Sequence, residues 1–276
     1  MTNKTKILFL CQEMAPYLEL TEISKITRHL PQAMQENGYE IRVLMPRFGC
    51  INERRNKLHE VIRLSGMNIV VDENDNPLII KVASIQGAKM QVYFLDNEEY
   101  FHRKHVFSDN KGKFFEDNDE RTIFFCKGVL ETVKKLGWSP DIIHCHGWMS
   151  SLVPMYVKTA YKNEPTFKNS KVIYSVYGND FKENLGEGFY KKGLTGSMNE
   201  QDASAFGEGK AEDLHKGALS FADGVIVAAD NISGEVEKQL KTVQGPVSKI
   251  TATENFEGYA SFYEEILEED MAEVEA

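Results

Sequence analysis

The sequence predicts an α/β fold, a doubly wound and mostly parallel sheet of the Rossmann type in a single domain, and three observations carry that prediction. Short continuous apolar runs, such as Ile7-Leu8-Phe9-Leu10 and residues 171–176, have the pattern of strands buried on both faces. They alternate with segments whose apolar residues recur at helical spacing. The chain has 276 residues, 42% of them apolar, which supplies one large core and excludes disorder throughout.

The elements follow in order. Residues 7–10 read as the first strand. Ile23, Ile26, Leu30, Ala33 and Met34 form a helical stripe over 23–36 that Asn37-Gly38 terminates, and 40–45 reads as the second strand, completing a β-α-β unit. Between 62 and 95 the runs 67–71, 78–83 and 90–94 are separated by residues 72–77 and by Gln86-Gly87, suggesting hairpins or short crossovers inserted into the winding. A helix is expected over 119–137, with Cys126, Val129, Leu130, Val133 and Leu136 inward and Gly137 as its stop. Strands are expected at 141–144, 171–176 and 224–228.

Residues 178–209 hold seven glycines and little periodicity, and read as a long mobile loop with short helical pieces. After the strand at 224–228 the chain is expected to pass directly into a closing helix. Phe256, Tyr259, Tyr263, Leu267, Met271 and Val274 share one face of it and glutamates the other.

Charge narrows the partners. The net charge is −10, yet residues 254–276 carry nine acidic residues and no Lys or Arg, leaving the rest at −1. A nucleic-acid partner is therefore not expected, since binding it needs a basic surface. No run reaches the ~20 apolar residues of a membrane span, so neither a membrane nor an export signal is expected. Cys11, Cys50, Cys126 and Cys145 lack metal-ligand or disulfide spacing, which fits a reducing, cytoplasmic setting.

In open α/β sheets the ligand lies beyond the carboxyl ends of the strands, which directs attention to residues 11–17. That turn has neither a Gly-x-Gly-x-x-Gly nor a Walker sequence, so no nucleotide cofactor is indicated. In His144-Cys145-His146-Gly147-Trp148 the period of two puts both histidines on one face. Two ligands alone do not make a metal site, and none is expected. The simpler reading packs His144 inside and leaves His146 lining a cleft.

Taken together, these segments resemble bacterial glycogen and starch synthases (glycosyltransferase family 5), retaining enzymes that extend α-1,4-glucan from ADP-glucose. The resemblance covers about residues 5–240 and rests on the order of Lys6-Ile-Leu-Phe-Leu-Cys-Gln-Glu13-Met-Ala-Pro16, the Leu30-Pro-Gln-Ala-Met helix, Gly38-Tyr-Glu-Ile-Arg-Val-Leu-Met-Pro-Arg47, Asp117-Asn-Asp-Glu-Arg121, Gly137-Trp-Ser-Pro-Asp-Ile-Ile-His-Cys-His146, Trp148 and Leu214-His-Lys-Gly-Ala-Leu-Ser-Phe-Ala-Asp223. It implies the first of two Rossmann-like domains of the GT-B type over residues 1–253, with 254–276 as an acidic amphipathic helix. The second domain, with most of the donor site, is expected to be absent.

The departures fall on the chemistry. The family's Lys-Thr-Gly-Gly-Leu donor loop aligns with Glu19-Leu20-Thr21-Glu22-Ile23, so an anion replaces the cation and side chains replace the close-approach glycines. The family's His-Asp-Trp-His/Gln segment has Gly147, Trp148 and Met149, and its Ile-His-Asn segment is Val176-Tyr177-Gly178. Candidate sugar or acceptor contacts are Glu13, Tyr17, His146, Trp148 and Tyr177, with the two aromatics as stacking faces. Catalytic residues stay unassigned. The expected function is a synthase-like protein with little or no transfer by the isolated chain; the alternative is a non-catalytic glucan-binding, regulatory or protein-interaction module. The candidate partners are an α-glucan or nucleotide sugar and a protein partner or second copy.

Overall fold

A computed structural model describes residues 4–88, 90–178, 181–186, 188–251 and 256–275, with side chains of the last helix described to residue 268. β1 (Lys6–Cys11) is buried from Ile7 onward. α1 (Ile23–Glu36) buries Ile23, Ile26, Leu30 and Met34 and stops where Gly38 takes φ 99°. β2 (Glu40–Pro46) returns parallel to β1, with Lys6 opposite Glu40 and Leu10 opposite Leu44.

The insertion that follows is built from hairpins. α2 (Glu53–Asn56) and β3 (His59–Glu60) precede β4 (Met67–Val71) and β5 (Asn74–Ser84). The separator expected at 72–77 is only two residues long, because Asp72 and Glu73 both adopt positive φ, as a tight hairpin requires, and Asn74 already pairs with Val71. β6 (Gln91–Asp96) is antiparallel to β5 and parallel to β2, which joins the insertion to the main sheet.

After α3 (Glu98–Phe101), α4 (Asn118–Leu136) ends at Gly137, φ 62°, and β7 (Ile142–His146) enters on the other side of β1 with His146 opposite Cys11. α5 (Leu152–Lys158) and β8 (Lys171–Val176) follow. The Gly-rich interval contains α6 (Phe189–Lys192) and α7 (Glu200–Ala203). Its described part is tied down: Lys192 Nζ lies 2.8 Å from Asp119 Oδ2 on α4, and the Tyr156 hydroxyl donates to the Gly193 carbonyl at 2.7 Å. Asn179, Asp180 and Glu187 lie outside the described residues.

α8 (Ala211–Leu219) and β9 (Gly224–Val227) are followed by α9 (Gly234–Leu240) and β10 (Val247–Lys249), and then α10 (Glu257–Glu275). The sequence reading passed directly from the 224–228 strand to the closing helix. In fact a further β-α-β turn intervenes, short and largely exposed, with β10 parallel to β9. On the stripe expected for α10, Tyr259 and Tyr263 are buried and Phe262 and Ile266 join them. Met271 and Val274 fall outside the residues whose side chains are described, as does the domain boundary at 253/254.

Among the described residues the strands run β10-β9-β8-β7-β1-β2-β6-β5-β3, with β4 on β5. Winding reverses between β1 and β7, and right-handed crossovers place α1 on one face of the sheet and α5 on the other. α10 closes the face that carries His144, to which Tyr263 is hydrogen-bonded. The crevice above the ends of β1, β7 and β8 is the topological position where ligands bind in such sheets.

Candidate functional site

Glu13 stands two residues past the end of β1 and is fully buried. Its carboxylate accepts from the backbone N–H of Leu20 (2.8 Å) and Thr21 (2.7 Å) and from the Thr21 hydroxyl (2.8 Å). Burial raises its pKa, and the bonds from Thr21 and Leu20 oppose the rise. The Thr27 hydroxyl, on the first turns of α1, donates to the Glu13 carbonyl at 2.8 Å. Glu13 therefore fixes the entry into α1 from within, and its carboxylate does not face the crevice.

This clamp settles the state of residues 19–23. The amides of Leu20 and Thr21 are taken by Glu13, and the Ile23 amide donates to the Thr21 hydroxyl at 3.2 Å. Helix N-terminal amides are the groups that hold phosphate at such a turn. Here these three are committed internally, while Glu19 and Glu22 are exposed.

The β7 end is also closed. The Gln12 side chain lies against Gly147, where a Cβ would stand 2.6 Å from Gln12 Oε1, and Gly147 takes φ 81°. The same oxygen accepts from the Met149 amide at 3.3 Å. Glycine at 147 and glutamine at 12 are thus one packing solution, with Gln12 occupying the space a side chain at 147 would need. The sequence reading passed over Gln12; its place beside Glu13 in the turn was the only signal.

His144 donates or accepts on both ring nitrogens, to Tyr263 Oη at 2.7 Å and Ser175 Oγ at 2.8 Å. His146 bonds Tyr177 Oη at 2.7 Å through Nδ1. The expectation that His146 lines a cleft does not match the structure: it is fully buried, beneath Tyr177 and 5.9 Å from the Phe9 ring, and its Nε2 has no partner. Burial pushes the His146 pKa down to about 3 and holds His144 well below its ordinary value. Both rings are neutral at physiological pH. No group of three or more His, Cys, Asp or Glu among the described residues is arranged to hold a metal.

Nor do the aromatic candidates offer open faces. Trp148 is 4% exposed, with the rings of Phe107 and Phe181 each 4.8 Å away, and Tyr177 is 2% exposed. Tyr17 packs edge-on against Phe94 at 4.9 Å, and burial pushes its pKa up to about 12. The structure thus brings His146 and Tyr177 into contact and ties Glu13 to Leu20 and Thr21 instead, while Trp148 belongs to a separate aromatic cluster.

The sequence model for the starch synthase catalytic domain matches residues 6–245. This chain belongs to that family. Among curated relatives, the glycogen synthases of Chlorobium luteolum and Chlorobaculum tepidum are each 40% identical over 173 residues, 62% of this chain but only 35% and 36% of theirs. The matched segment therefore spans about a third of those relatives. Among solved structures, the catalytic domain of starch synthase IV from Arabidopsis thaliana, bound to ADP and acarbose, superposes with a TM-score of 0.71 at 16% identity, covering 90% of this chain and 52% of that one. The starch synthase fold is accordingly shared. Among the described residues no helix is long and apolar enough to cross a membrane.

Proposed function

We propose that this member of the starch synthase family is a synthase-like protein that, as an isolated chain, transfers little or no glucose from ADP-glucose to α-1,4-glucan. One observation carries the reading: the loop between β1 and α1 is clamped shut by Glu13 and turns two carboxylates, Glu19 and Glu22, outward where the family resemblance places a lysine and glycines. Transfer from a nucleotide sugar releases a diphosphate, so the transition state needs positive groups aimed at the leaving oxygens. Reversing one charge about 5 Å from a diphosphate disfavours it by roughly 2 kcal/mol in a solvated setting. With no free loop amide from Leu20, Thr21 or Ile23, the backbone does not compensate.

The test is glucose incorporation into glycogen from labelled ADP-glucose by the purified chain, alone and with cell extract. No incorporation by the chain alone is expected. Turnover at an ordinary enzymatic rate by the chain alone overturns the reading, and activity with extract above that of extract alone points to a partner that contributes to the donor site.

A second reading, a non-catalytic interaction module, is supported by α10. Its apolar residues are docked, and Glu264, Glu265 and Glu268 stand exposed as a one-sign face. Loss of a co-purifying partner on truncation after residue 253 would support this reading. Calorimetry with maltooligosaccharides tests the glucan-binding version, which the absence of both heat and a melting shift would remove.

A further inference from the structure

A basic surface in this acidic chain lies beside α1, next to the β1–α1 turn. A groove of about 680 Å³ runs beside the helix, roofed by Ala15, Pro16 and Tyr17, with Arg28 and His29 of α1 on one wall. Arg55, Asn56 and Lys57 at the end of α2 and Ser84 to Gln86 of the next turn form the other. Three permanent cations from two separate segments line it, and none of its lining residues is acidic, in a chain that carries 42 acids against 32 bases.

Those cations are not consumed by the fold. Arg28 donates to the neutral amide of Gln32 at 2.7 Å, and among the described residues none of Arg28, Arg55 and Lys57 has a carboxylate partner in an ion pair. The contrast with neighbouring cations is direct: Arg47 and Lys81 are both neutralised by Glu53 and Asp96. Like charges facing one space repel one another, so an unneutralised set is less favourable empty than filled by an anion. Volume adds a second limit, since grooves of roughly 300–1,000 Å³ take ligands of metabolite size.

We propose that this groove binds a small phosphorylated metabolite, its phosphate oxygens held by Arg28, Arg55 and Lys57. Arginine matches phosphate in a two-pronged geometry and lysine adds a point charge. His29 and Asn56 supply further polar groups, and the buried Tyr17 and Ile85 add apolar lining for the non-phosphate part. The groove's cations, Arg28, Arg55 and Lys57, lie outside the 19–23 segment, although Ala15, Pro16 and Tyr17 of the same turn line the groove.

Titration calorimetry on the full chain tests it with inorganic phosphate, pyrophosphate, ADP and glucose 6-phosphate, and with maltotriose as the uncharged control. Pyrophosphate is expected to bind more tightly than phosphate, and maltotriose not to compete with it. Raising salt from 50 to 200 mM should weaken pyrophosphate severalfold. Comparing ADP with glucose 6-phosphate separates a nucleotide ligand from a sugar phosphate. The double variant Arg55→Gln, Lys57→Gln should lose at least tenfold in affinity, whereas Arg55→Lys, Lys57→Arg should stay within about threefold of the parent. Both changes are at exposed positions, so unfolding midpoints should match the parent and a folding defect is recognised separately.

No binding of any phosphorylated probe at millimolar concentration overturns the proposal, and so does pyrophosphate affinity unchanged in the charge-removing variant. The result does not depend on the transfer assay, since pyrophosphate binding lost with Arg55 and Lys57 stands whether or not the chain moves glucose.

Discussion

Lowering the pH from 7 to 5 reads the buried histidine pair directly. His144 and His146 are fully buried with ring centroids 3.9 Å apart. Burial brings His146 down to about 3, and burial together with its neighbour His146 depresses His144. Their contacts are Phe9, Ser175, Tyr177, Tyr259 and Tyr263, none of which is anionic in this range. The folded pKa values lie below the unfolded one, so the unfolded chain takes up protons first and stability falls as the pH drops through about 6.5. At pH 5 the His146 ring costs about 2 kcal/mol, being one and a half pH units at about 1.4 kcal/mol each, and His144 acts in the same direction. Burial raises the pKa of Glu13 and of Asp119, and these two act in the opposite sense, favouring the folded state as they take up protons. A His146→Gln variant isolates one ring from those carboxyls. In urea unfolding at pH 7, 6 and 5, its loss of stability on acidification should be about 2 kcal/mol smaller than that of the parent. Equal losses in the two proteins would refute the reasoning.

Three further outcomes are expected. Tyr263→Phe deletes the hydroxyl 2.7 Å from His144 Nδ1 and leaves a buried ring nitrogen without its partner, so urea unfolding at pH 7 should show a loss of about 1–3 kcal/mol; no change would contradict the docking of α10 through this bond. Gly245→Ala would place a Cβ 1.8 Å from the Asp223 carbonyl oxygen, a backbone atom, and should cost more than about 2 kcal/mol, whereas Gly234→Ala meets open space and should stay within about 0.5 kcal/mol, both read from the urea midpoint. Glu19→Lys with Thr21→Gly and Glu22→Gly should tighten ADP-glucose binding at least tenfold by calorimetry, the direction set by the charge reversal; unchanged affinity would show that the loop is not what limits it.

The parallel core was legible because burial on both faces leaves a nearly uninterrupted apolar run, as in β1, β7 and β8, and because Asn37-Gly38 is a strong stop for α1. The β4–β5 hairpin was read as a longer separator because residues 74–77 are polar or proline, while the residues that make the turn, Asp72 and Glu73, have left-handed φ that composition does not reveal. α9 and β10 were passed over for a related reason: a seven-residue helix and a three-residue, largely exposed strand have too few inward positions to show a period.

At the site, the position of Glu13 at the end of β1 followed from topology, but its role did not. Two of its three partners are backbone amides seven and eight residues away, which no side-chain pattern encodes. Trp148 and Tyr177 looked like sugar platforms because aromatic identity is the same inside a core and in a cleft. Only the surrounding Phe107, Phe181 and His146 decide between them. The cationic groove was invisible for a different reason, since Arg28 lies 27 residues before Arg55 and the fold alone brings them to one cavity.

The central claim is that a clamped loop displaying Glu19 and Glu22 does not support donor chemistry in this chain. The direct measurement is the initial rate of labelled glucose transfer from ADP-glucose to glycogen by the purified 276-residue protein. The predicted result is incorporation indistinguishable from a blank without protein. A rate on the order of 1 per second or faster, within the usual range of enzymes, would contradict it.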